Sequence, residues 1–144
     1  MEQREEPGGA VRVGMVWGGI GGVVGLLVSL LGSLVGILVA GFIGFSCGRR
    51  AAVAGRQAGA LSGLVGGAVA APMYVLGSTL GALLAARLVG AAEIATTLSE
   101  VLGTRVSADD AWTYFVFSLV LSAILEAAIL VSVSSAAGAF SKRE

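Results

Sequence analysis

Hydrophobic positions in this chain gather into three blocks, Val13–Gly48, Gln57–Ala86 and Ala111–Ser141, and a single charge, Glu126, lies within them. Each block is thirty residues or longer. A run of about 18 or more uncharged apolar residues reads as a membrane span, because hydrocarbon solvates neither a charge nor an open backbone amide. The pattern predicts an all-α integral membrane helical bundle, a single transmembrane domain covering 1–144.

Block length sets the number of crossings. As one helix, Val13–Gly48 would be roughly 54 Å long, against a hydrocarbon core of about 30 Å. Two short spans, 13–31 and 33–48, turning near Leu31–Gly32–Ser33, fit better. The third span covers 57–89, with a kink expected at Pro72, where the helix loses one backbone donor. A fourth covers 110–140, and Trp112, Tyr114, Phe115 and Phe117 form an aromatic belt at its start. Between the third and fourth spans, Ile94, Leu98, Val101 and Leu102 share one face of a short interfacial helix, 91–102, ended by Gly103. Ser107 reads as the N-cap of the last helix, with Asp109 and Asp110 at its positive end.

Arginine and lysine positions choose between topologies, because cytoplasmic loops retain positive charge. Four spans put Arg4, Arg12, Arg49, Arg50, Arg56, Lys142 and Arg143 on one side and leave only Arg87 and Arg105 on the other. Three spans divide the nine basic residues five against four. A fifth span, made by a turn at Gly77–Ser78, would put the acidic 93–110 segment in the cytoplasm. The expectation is about four transmembrane helices in a cell membrane, with both termini cytoplasmic. The apolar run after Val13 exceeds a signal-peptide core and is expected to stay as an anchor.

Small residues are ordered within these blocks. Gly14, Gly18 and Gly22 recur every four residues, as do Gly21, Gly25, Ser29 and Ser33. Longer ladders follow: Gly32, Gly36, Ala40, Gly44, Gly48, then Gly55, Gly59, Gly63, Gly67, Ala71, then Gly77, Gly81, Ala85. Positions four apart lie on one helix face. A flat face of that kind lets helices approach to backbone contact, which is what holds them together in lipid. The ladders resemble the glycine zippers of small polytopic membrane proteins. The arrangement from Gly14 to Ala85 is similar to that of short Gly/Ala-rich bacterial and archaeal membrane families of uncharacterised function, and the resemblance implies a prokaryotic source. It carries over no catalytic or ligand residue.

Composition narrows the function classes. Hydrophobic residues are 56% of the chain and charged residues 12%, about half the charge of an average soluble domain. Net charge is zero and basic tracts are absent, which argues against nucleic-acid binding. Without histidine the commonest general base and metal ligand are both missing. The glycines follow no phosphate-loop pattern. No catalysis, cofactor or metal is expected. Cys47, beside Arg49 and Arg50, reads as a small apolar filler, the alternative being a juxtamembrane acylation site.

Glu126 is the one residue that invites chemistry. A carboxylate at mid-span costs at least about 2.5–3.5 kcal/mol to insert and is a functional candidate by default. Ser118 and Ser122 precede it on the same helical face, and Tyr74 matches it in depth and is the expected partner. Two readings follow. In one, the acid ties helices together in a protein of structural, assembly or complex-subunit role. In the other, it serves an oligomeric pore or an ion- or proton-coupled transporter. The partners implied are the lipid bilayer and either further copies of the chain or another membrane protein.

Overall fold

The computed structural model describes residues 8–29, 33–55 and 59–141. Five helices carry the described chain: α1 (Gly8–Val28), α2 (Ser33–Ala54), α3 (Gly59–Val89), α4 (Ala91–Leu102) and α5 (Ala108–Ser141). Four of them, all but α4, are long and apolar enough to cross a membrane. The expected turn at 31–33 falls mostly outside the described residues, as do Gly32 and Arg56. α3 runs unbroken through both Pro72 and Gly77–Ser78, so the alternative turn there does not occur.

Contacts between small residues give the helix directions. A Cβ on Gly14 would meet Gly66 O at 2.6 Å, one on Gly18 would meet Ala70 Cα at 2.9 Å, and Gly77 abuts the Gly22 carbonyl. Residue numbers rise together along this contact, so α1 and α3 are parallel. The same holds for α2 and α5, where Gly44 lies against Leu130 and Gly48 against Ser134. α3 and α5 are antiparallel, with Gly59 against Gly138 and Gly63 against Ser134. α2 and α3 lie on the short diagonal of the bundle; α1 and α5 flank them without touching each other. Gly55 lies beyond the end of α2 and faces the Ser62 hydroxyl, so it belongs to no helical ladder. The alternating directions bring the start of α1, the end of α2 and the end of α5 to one end of the molecule.

That end is basic. Arg50 lies over the Trp17 ring at 5.1 Å and Arg49 over Phe45 at 5.9 Å, a placement that suits an interface where guanidinium meets aromatic ring. Below it the bundle is closed by Cys47, Ser62, Tyr74, Leu130 and Ser134, each under 2% exposed. Burial of Cys47 leaves it a packing residue and removes the acylation alternative.

The opposite end is acidic and built differently. α1 and α2 have 21 and 22 residues, whereas α3 and α5 have 31 and 34. The longer pair therefore runs on past the α1–α2 hairpin, with α4 packed across it. Ala95 of α4 is buried against the bundle, while Val101 and Leu102, expected on its apolar face, are exposed. Gly103 ends α4 in a left-handed conformation, φ 66°, where a side chain would be strained. Ser107 then opens α5: its hydroxyl accepts from Asp110 N at 3.1 Å and donates to Asp110 Oδ2 at 2.6 Å. This reciprocal pair satisfies an amide that the first helical turn leaves open.

Candidate functional site

Glu126 sits at the middle of α5, and its side chain turns inward, 5% exposed. Ser78 Oγ donates to Glu126 Oε2 at 2.7 Å, joining α3 to α5. On its other side the carboxyl meets α2: a Cβ on Gly36 would lie 3.0 Å from Oε1. Glycine is what lets the carboxyl lie against that backbone. The carboxyl therefore rests where three helices converge.

Tyr74 does not bond to Glu126, contrary to the sequence expectation. Its hydroxyl donates to Gly36 O at 2.6 Å, and the ring packs against Gly21 and Gly25. Tyr74 and Ser78 lie four residues apart on α3, but the phenol oxygen ends on the α2 backbone. The short serine stops beside the acid. Ser78 O in turn accepts from Ser29 Oγ at 2.8 Å, and Ser29 also reaches Gly25 O at 2.7 Å. The end of the α1–α2 hairpin is thus fastened level with Glu126.

Past that level, α3 and α5 diverge over a half-open cavity of about 330 Å³. Glu126, Ser78 and Ser29 form its floor; Ser118, Ser122 and Thr79 add hydroxyls along its sides. The rest of the lining is apolar, with Ile94 of α4 and Phe115 among the residues nearest the acidic end. Arg87 does not line it and lies over the Trp112 ring at 5.9 Å. Glu126, Ser118 and Ser122 share this cavity, whereas Tyr74 is buried below it.

The other predicted residues lie at helix contacts. Gly36, Gly44, Gly48, Gly59, Gly63 and Gly67 are all buried. Ser134, which the sequence reading passed over, is fully buried; its hydroxyl donates to Gly63 O at 2.7 Å, and its backbone abuts Gly48. Extending the Ser118–Ser122–Glu126 stripe two more turns along α5 arrives at Ser134, so a signal for it existed. Ser29 had none beyond its place in a small-residue ladder, and Ser78 had none.

These four long apolar helices define a multi-pass α-helical membrane protein. Compared with models of protein families, with curated proteins and with solved structures, the chain matches none.

Proposed function

We propose that this is a small membrane protein of structural, assembly or complex-subunit role, without catalysis, in a prokaryotic cell membrane with both termini cytoplasmic. The observation that carries the reading is the Glu126 carboxyl, engaged by the Ser78 hydroxyl and set against Gly36, which makes it a tie among three helices. Glycine-zipper packing supports the same role, since faces this flat suit rigid association. Arg12, Arg49 and Arg50 at one end support the orientation. The partners are the bilayer itself and further copies of the chain or another membrane protein.

An oligomeric pore or an ion- or proton-coupled transporter using Glu126 is the second reading, and the cavity at that residue favours it. One experiment separates the two. In liposomes with a pH gradient, the purified protein should pass no more protons than empty vesicles. A flux that vanishes in Glu126→Gln would reject the structural role and establish the conducting one.

A further inference from the structure

Two features of the cavity beyond the α1–α2 hairpin go unused by the helix-tie role. The first is its chemistry. Among the described residues it holds one carboxyl, and no arginine or lysine lines it. Glu126 Oε2 takes the Ser78 hydroxyl, while Oε1 has no donor among the described residues. A carboxylate can accept several hydrogen bonds, so this one retains capacity toward a positive group. In a low-dielectric surrounding such a carboxyl gains more from a cation than it would in water.

The second feature is shape. A volume of about 330 Å³ falls at the small end of the range for organic-ligand sites, about 300–1,000 Å³. A bare metal ion needs a close shell of oxygens, and most of these walls are instead aliphatic: Ala82, Ala85, Val89, Ile94 and Leu119.

We propose that this cavity binds a small organic cation, an amine or quaternary ammonium with apolar substituents, its charge on Glu126 and its hydrocarbon against the α3–α5 walls. The inference goes beyond the structural role and does not rest on it, because a bound cation need not be moved across the membrane.

Calorimetric titration of the full chain in phosphatidylcholine nanodiscs tests it, with benzyltrimethylammonium chloride as the probe and benzyl alcohol and sodium chloride as comparisons. The wild type should show saturable one-site binding of the ammonium and none of the alcohol. Glu126→Gln keeps an acceptor for Ser78, so its melting temperature should hold while affinity falls at least tenfold. Ala85→Leu should weaken binding by narrowing the cavity while leaving Glu126 in place. Absence of saturable binding to the wild type would overturn the proposal, as would undiminished affinity in either variant. So would sodium binding without ammonium binding, which would assign the space to a hydrated ion. The liposome flux measurement is independent, so a failure here is distinguishable from a failure of the structural role.

Discussion

Placing a side chain at Gly63 should cost the bundle a large part of its packing at one helix crossing. This glycine lies where α3 crosses α5, and a Cβ built there would overlap the Ser134 carbonyl oxygen and stand 3.1 Å from Ser134 C and 3.2 Å from Ser135 Cα. All three atoms are backbone, so no rotamer change relieves the contact and the helices must separate. Separation also stretches the Ser134 Oγ to Gly63 O hydrogen bond, now 2.7 Å. Overpacking of this kind costs about 1–3 kcal/mol, and an interhelical hydrogen bond contributes about 0.6, at most about 1.7 kcal/mol. Together these put Gly63→Ala at roughly 2–4 kcal/mol and Gly63→Leu higher. Gly41 is the matched control, a glycine on α2 with nothing within 4 Å of its would-be Cβ. Replacing an open mid-helix glycine by alanine is worth up to about 1 kcal/mol in the favourable direction. Thermal unfolding in detergent, followed by near-ultraviolet circular dichroism, should therefore place Gly63→Ala below wild type by at least about 5 °C and Gly41→Ala at or above it. Equal melting temperatures for the two variants would refute the argument that backbone contact at these glycines holds the bundle.

Further outcomes follow from the site and the topology. Ser78→Ala leaves the Glu126 carboxyl without its hydroxyl donor and should lower stability by about 1–2 kcal/mol, whereas Glu126→Gln should be nearly neutral and Glu126→Leu destabilising in the same melting assay. Tyr74→Phe removes the bond to Gly36 O, so a buried carbonyl loses its partner, at a cost of about 1 kcal/mol; an unchanged melting temperature would mean that this bond contributes nothing. In a Cys47→Ala background, a cysteine at exposed Thr97 should react with an impermeant thiol reagent added outside intact cells, and one at exposed Ala54 should not; the reverse labelling would invert the orientation.

Much of the architecture was legible one residue type at a time. Membrane insertion follows from hydrocarbon's inability to solvate charge, so the apolar blocks predicted a helical bundle, and their lengths with the placing of arginine and lysine predicted about four crossings. Short-range rules also carried α4 and the start of α5: a glycine stops one helix, and Ser107 with Asp110 opens the next, through contacts three residues apart. The ladders announced flat faces because four-residue spacing is a property of a single helix. Which face meets which partner is a property of two, and there the sequence was silent. The spacing marks Gly44 and leaves out Gly41, which meets open space, but nothing local says that Gly44 meets the Leu130 carbonyl of α5.

The surroundings of Glu126 divide along the same line. Its depth, and its alignment with Ser118 and Ser122, are fixed by position along one helix. Its partner is not, because Tyr74 and Ser78 occupy the same face of α3, and only the packing of α3 with α2 and α5 decides that the phenol bonds Gly36 O while the serine hydroxyl meets the acid. The cavity needed tertiary structure most of all. It exists because a short hairpin is docked, through Ser29 and Gly36, against two longer helices, so that α3 and α5 run on past the described ends of α1 and α2. Apolar length along the chain put the protein in the membrane; the register between helices decided where that membrane-embedded carboxyl is left with room beside it.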